Sequence, residues 1–219
     1  ALTGEQHLDV TDIATFKSLP TADIVINLAA EHRDDVSPRS LYDLVNVDGA
    51  RNVCDHCRTA GISTIVFTSS VAVYGFAPEG TDETGAFNPF NDYGRTKMEA
   101  EGVYREWLAE DPSRRSLVIV RPTVIFGEQN RGNVYNLLKQ IASKRFVMFG
   151  TGTNQKSMAY VQNIAEFLAF STKLGAGEHL YNYIDKPDLD MNNLVSRSRA
   201  VLFGKNNVGL RLPGWLGVL

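Results

Sequence analysis

The chain has 219 residues, 43% of them hydrophobic, with a formal net charge of −3 at pH 7. That length buries a substantial core in one domain, or in one domain with a smaller lobe. Lysine and arginine are scattered without a basic run, which argues against nucleic acid. No apolar run is long enough to cross a bilayer and no signal-peptide pattern opens the chain, so composition points to a soluble, cytoplasmic protein without a membrane partner.

In chain order, residues 22–30 (ADIVINLAA) read as a strand buried on both faces. A helix follows over about 38–60, stopped by Gly61. It carries Cys54, His56 and Cys57, the chain's two cysteines among them. Zinc wants four ligands and no second pair exists, so buried thiols on one helix stripe are the structural alternative to a metal or redox site. Residues 62–70 (ISTIVFTSS) are a second strand. A helix starting near Asp92 carries Tyr93, Ala100, Tyr104, Trp107 and Leu108 down one side, with Pro112 beyond its end. Residues 116–127 (SLVIVRPTVIFG) are a third strand. The order β-α-β-α-β predicts an α/β, doubly wound parallel sheet, which takes ligands beyond the carboxyl ends of its strands.

After Gly127, Val134, Leu137, Leu138 and Ile141 form a helix stripe, capped by Asn133 and closed by Lys144 and Arg145. An extended loop follows through residues 148–161, then a helix with Val161, Ile164, Ala165 and Leu168 on one face. We therefore expect a partial dinucleotide-binding domain over 1–127 and a smaller, partial substrate-binding lobe over 128–219, the two not fully separate in the chain.

Tyr93 and Lys97 lie one helical turn apart, and chance alone gives roughly 0.3 such Tyr-x-x-x-Lys matches in a chain of this composition, so spacing by itself is a weak signal. Position strengthens it, because the strand ending in Ser69 and Ser70 delivers a hydroxyl to the carboxyl end of the sheet. The segments NLAA, NVDGARNV, TSSVAVYG, YGRTK and RPTVIFG, in this order, resemble the extended short-chain dehydrogenase/reductase family, in its NAD-dependent nucleotide-sugar epimerase/dehydratase branch. The likeness spans residues 8–161. It implies a Rossmann-type domain holding NAD or NADP and a smaller C-terminal lobe holding a nucleotide sugar.

The resemblance assigns the catalytic set to Ser70, Tyr93 and Lys97. A free phenol, with a pKa of about 10, is a poor base. We expect Lys97 and a nicotinamide cation to lower it, about 3 units requiring roughly 4 kcal/mol. Tyr93 then takes the sugar hydroxyl proton, Ser70 hydrogen-bonds the same oxygen, and Lys97 also holds the nicotinamide ribose. Toward the cofactor, the likeness gives Asp9 to the adenine amine and Val10 to the ring, although the same stretch reads equally as a helix N-cap. Leu28, Ala29 and Ala30 lie along the dinucleotide; His32 is either a polar contact or a solvated loop residue. Asn46 braces the site, and Pro122 gives a backbone contact beside the nicotinamide. Toward the substrate, Lys156 and Ser157 stand where relatives carry Arg and Asp, which keeps a positive charge for the diphosphate but loses the bidentate fork. Asn133 either reaches the sugar or only caps its helix. No metal is expected.

Val71 and Ala72 follow Ser70 where dehydratases carry Asp-Glu, and neither can transfer a proton, which disfavours dehydration and decarboxylation. The leading expectation is an NAD-dependent 4-epimerase of a UDP-hexose. The alternatives are an NAD(P)H-dependent reductase of a 4-keto nucleotide sugar and a non-catalytic dinucleotide-binding relative. A homodimer through the helices near 39–60 and 93–108 follows by analogy. The family's Gly-x-x-Gly-x-x-Gly loop is absent, and Gly150–Gly152 lacks its spacing. We therefore expect a fragment without the first strands of the sheet, binding dinucleotide poorly on its own.

Overall fold

The computed structural model describes residues 8–33 and 35–217. The chain divides into two compact units: residues 1–122 with 165–183, and residues 123–164 with 184–219. These units are discontinuous in the chain. The chain leaves the first unit at Pro122 and returns to it through one helix and one strand.

The first unit is built on a parallel sheet in the order β1-β2-β3-β8, with β1 Ile24–Asn27, β2 Thr64–Thr68, β3 Ser116–Pro122 and β8 Gly177–Tyr183. Register runs Ile24 to Thr64, Thr64 to Ser116 and Ser116 to Gly177. Every residue of β3 is buried, as the near-continuous apolar run requires of a central parallel strand. β1 lies at one edge, where Ile26 is exposed. Strand β8 was not legible in the sequence, because GEHLYNY mixes polar and aromatic positions.

The predicted first helix is continuous but not uniform. It comprises α1 Ser40–Tyr42, a π-wound stretch Asp43–Asp48, and α2 Gly49–Ala60. Gly61 ends it in the left-handed conformation, at φ 69°. The second predicted helix is α3 Asp92–Ala109, started by the Asn91 side chain, which accepts from the Gly94 N–H at 2.9 Å. Ala50, Val53, Cys54 and Cys57 of α2 and Ala100, Tyr104 and Trp107 of α3 pack with Ile65, Phe67, Leu117 and Ile119 of the sheet. Burial pushes both thiols up to about 12, so they are un-ionised core groups. No cluster able to hold a metal occurs among the described residues.

The predicted strand over 116–127 is in fact two. Beyond Pro122 the chain turns into β4 Val124–Phe126, which pairs with β7 Met158–Tyr160 in the second unit. Gly127, at φ 154°, ends that strand so close to Val161 that a Cβ would lie 2.3 Å from its Cγ1. The expected loop of 148–161 contains short strands: β5 Met148–Phe149, β6 Gln155–Lys156 and β7. β6 pairs with β9 Leu189–Asp190, and β5 with β10 Arg211–Leu212. Helix α4 Asn133–Ala142 packs on α6 Met191–Phe203, a helix the sequence reading did not find, around Ile141, Met148 and Val195. Helix α5 Val161–Ser171 carries the chain back to the first unit. No helix among the described residues is long and apolar enough to cross a membrane.

Candidate active site

The site is assembled where β2 ends. Ser70 caps the short 3-10 turn Val71–Tyr74, its Oγ accepting from the Ala72 N–H at 3.1 Å. The first turn of α3 packs on that turn because residue 94 is glycine: a Cβ there would lie 2.5 Å from the Ala72 carbonyl oxygen. Tyr93 is thereby brought to Ser70, whose hydroxyl acts on its phenol. Ser69, one residue earlier, is buried, and its Oγ has no hydrogen-bond partner among the described residues.

Lys97, one turn along α3, is 2% exposed, and its Nζ donates to the Thr68 carbonyl at 2.8 Å while lying 4.7 Å from the centre of the Phe67 ring. Burial pulls the ammonium down to about 7, partly offset by the Glu101 carboxylate. Here the structure departs from expectation. Burial raises the Tyr93 phenol above its ordinary value, only the Ser70 hydrogen bond pulls it down, and Lys97 is not among the groups acting on it. The ammonium is turned to the Thr68 carbonyl at the end of β2.

The other expected residues divide into three groups. Asn46, in the π-wound stretch, is a brace: its amide donates to the Glu31 carbonyl at 3.0 Å and to Thr96 Oγ1 at 2.9 Å, and its oxygen accepts from the Glu31 N–H at 2.8 Å. These bonds tie the loop after β1 to α3. That loop holds Leu28, exposed, and Ala29 and Ala30, half-buried. His32 is exposed on the same loop, and Pro122 is buried at the end of β3. Asp9 is exposed and accepts from the Thr11 N–H at 2.9 Å and hydroxyl at 2.8 Å, so its carboxylate caps its own turn. Val10, expected beside the adenine, has its side chain in the core. It is 7% exposed and lies against Gly49. In the second unit, Lys156 is half-buried on β6, and Asn133 is exposed in the first turn of α4. Asn133 is not the cap, a position taken by Gly132 without a side-chain bond.

A residue the sequence reading missed is Arg121. Its guanidinium is 1% exposed and grips the fully buried Glu101 of α3 with bonds of 2.8 and 2.6 Å. It also donates to the Tyr74 hydroxyl, which in turn donates to Asn182 Oδ1 at 2.9 Å. This network ties β3, α3 and β8 to the turn that begins at Ser70. The signal was present, since an arginine inside SLVIVRP must be paired to be buried.

The profile of the NAD dependent epimerase/dehydratase family matches residues 5–182. The chain belongs to that family. It is 55% identical over 204 residues to the N-acetyl-alpha-D-glucosaminyl-diphospho-ditrans,octacis-undecaprenol 4-epimerase of Escherichia coli O157:H7, covering 93% of this chain and 61% of that protein. It is 28% identical to the UDP-glucose 4-epimerase of Vibrio cholerae, over 90% of this chain and 62% of the relative. The chain thus spans about three-fifths of the length of these curated relatives. In fold it is similar to UDP-glucuronic acid 4-epimerase from Bacillus cereus in complex with NAD, with a TM-score of 0.74 at 20% identity over 93% of this chain and 66% of that one. The family is that expected from the motifs, and the sheet is of its Rossmann type.

The residues present fit one end of the dinucleotide. Lys97 is a buried ammonium with three donors, of which the Thr68 carbonyl takes one among the described residues. Such a group suits the hydroxyls of a ribose. The glycine loop that cradles a diphosphate is not in this sequence.

Proposed function

We propose that this chain supplies the catalytic residues of an NAD-dependent 4-epimerase acting on a hexose joined through C1 to a diphosphate. The observation that carries the reading is the packing of the first turn of α3 on the turn capped by Ser70, which sets Tyr93 beside the Ser70 hydroxyl, with Lys97 buried one turn away. Ser70 and Tyr93 both bond the sugar O4. Tyr93 takes the O4 proton as C4 is oxidised and returns it as C4 is reduced, so no proton is consumed overall. NAD, when bound, supplies the hydride acceptor and donor and a pyridinium charge. Lys97 holds the ribose hydroxyls. Val71 and Ala72 offer no proton to C5 or C6, which leaves epimerisation as the outcome.

What lies beyond the diphosphate divides a UDP-hexose from a polyprenol-linked sugar. The 55% identity to an enzyme named for a polyprenol diphosphate sugar favours the second, and the 28% identity to a UDP-glucose epimerase supports the first. We take the lipid-linked N-acetylhexosamine as the substrate, and a homodimer as the working assembly.

The test, in a full-length form that carries the glycine loop, is conversion of polyprenyl-diphospho-N-acetylglucosamine and of UDP-N-acetylglucosamine in deuterated water, followed by mass spectrometry. We expect interconversion of the 4-epimers of the lipid-linked sugar, no accumulated NADH and no deuterium at C4. Tyr93→Phe should cost about 100-fold or more in rate. Net NADH consumption would instead mark a keto-reductase, and unchanged turnover in Tyr93→Phe would refute the assignment.

A further inference from the structure

Helices α4 and α6 leave a groove of about 660 Å³ between their outer faces. Its walls are Tyr135, Leu138 and Ala142 on one side and Ser198, Val201 and Leu202 on the other. Leu138 was expected in the α4 core stripe, but it is 37% exposed; Leu202 is 48% and Val201 87% exposed. A contiguous apolar surface of this kind marks an interaction site.

Two cations, Lys139 and Arg197, line the same groove. At the C-terminal ends of both helices, Lys144 lies over the Phe203 ring at 5.5 Å, and Lys205 lies just beyond α6. Among the described residues none of these four cations is in a salt bridge. No aspartate or glutamate occurs between Gln129 and Ala165, or from Met191 to the end of the sequence. The second unit carries ten lysines and arginines against four acidic residues, a net +6, whereas the first carries twelve against 21, a net −9.

We infer that the α4/α6 face of the second unit docks on an anionic lipid bilayer. Val201, Leu202 and Leu138 enter the acyl boundary while Lys139, Arg197 and Lys144 lie among the phosphates. Exposed aliphatic side chains ringed by unpaired cations are the chemistry of a helix lying in the interface plane. A nucleic acid would match the charge but not the aliphatic ridge. The expectation that no membrane partner exists was drawn from spanning segments alone, and a face lying on the surface leaves no such segment. The inference rests on the lipid-linked reading of the substrate only for the purpose of docking, since a polyprenol sugar is met at a bilayer.

Vesicle flotation without any sugar or NAD tests it, so docking is scored apart from the substrate. We expect recovery with vesicles containing about one-third phosphatidylglycerol, and at least about 10-fold weaker binding to phosphatidylcholine alone. Lys139→Glu with Arg197→Glu should weaken binding about 30-fold or more, and Val201→Asp about 10-fold. Circular dichroism verifies folding, and the exposed charge-reversal pair stands if Val201→Asp does not fold. No binding to anionic vesicles, or equal binding by wild type and charge-reversal pair, overturns the proposal. So does a dimer that Val201→Asp dissolves in sedimentation velocity while vesicle binding is unchanged, which would make the groove a contact between copies. Docking with turnover of UDP-N-acetylglucosamine only would refute the lipid-linked substrate and leave the surface standing.

Discussion

In the first unit all nine arginines sit in ion pairs, whereas in the second Lys186 alone of ten cations does so among the described residues. The first unit uses charge internally. Arg95 bridges Asp43 and Glu99 at 2.8 and 3.0 Å, Arg58 meets Glu110 at 2.6 Å, and Arg121 with Glu101 is sealed inside. In the second unit Arg211 donates to the Gly150 and Thr151 carbonyls and Arg199 to Asn207, while Lys139, Lys144, Arg197 and Lys205 are exposed. A catalytic constellation held to fractions of an ångström needs a stiff frame, and paired charges inside the fold supply directionality. Unpaired cations hold nothing in place internally, and so are available to an outside partner.

The sharpest way to break this contrast is to remove a charge from each unit. Arg121→Met leaves the Glu101 carboxylate buried without its main partner, which should cost about 3–5 kcal/mol of stability in urea unfolding. Adding Glu101→Leu to Arg121→Met should recover most of that loss, because a buried pair is worth little once both members are gone. Lys144→Gln in the second unit should change stability by less than about 0.5 kcal/mol. Comparable losses from Arg121→Met and Lys144→Gln would show that internal and external charge are not different in kind.

Lys97 sharpens the comparison from the other side, as the first unit's buried cation without a contacting carboxylate. Its pKa falls from 10.5 to about 7 on folding. Between those values the unfolded chain binds the proton and the folded chain does not, so stability from this group rises with pH. Below pH 7 both states are charged and the full burial cost is present. Relative to Lys97→Met, the wild type should therefore gain about 2–3 kcal/mol between pH 6 and pH 9. A difference between the two proteins that does not vary with pH would mean that Lys97 keeps an ordinary pKa in the fold.

Much of the first unit was legible in the sequence, and little of the second. Strands β1 to β3 announce themselves as apolar runs, and α3 by Asn91, Asp92 and its apolar stripe. β8 did not, because its residues mix polar and aromatic side chains, and α6 did not, because Arg197, Arg199 and the exposed Val201 blur its period. The approach of Ser70 to Tyr93 was legible through motif and order, but its cause, Gly94 against the Ala72 carbonyl, is visible only in three dimensions. The bond network of Lys97 was not legible, since spacing places the ammonium near the phenol and cannot say that a strand-end carbonyl claims it. The charge asymmetry was hidden for a different reason. The units are discontinuous, and a net charge of −3 is the sum of +6 and −9.

Salt gives the smallest and most diagnostic effect. Raising sodium chloride from about 0.05 to 0.5 M shortens the screening length from about 14 to 4 Å. Exposed pairs such as Arg58–Glu110 weaken a little, so amide protection in α2 and α3 should fall by no more than about 0.5 kcal/mol. In the second unit the same salt relieves repulsion among Lys139, Lys144, Arg197, Arg199 and Lys205, so protection in α4 and α6 should rise by a similar amount. Hydrogen exchange reads both in one experiment, and the opposite signs are the point. If α4 and α6 lost protection along with α2 and α3, the cations of the second unit would have to be engaged in favourable pairs, and the argument for an outward-facing basic surface would fail.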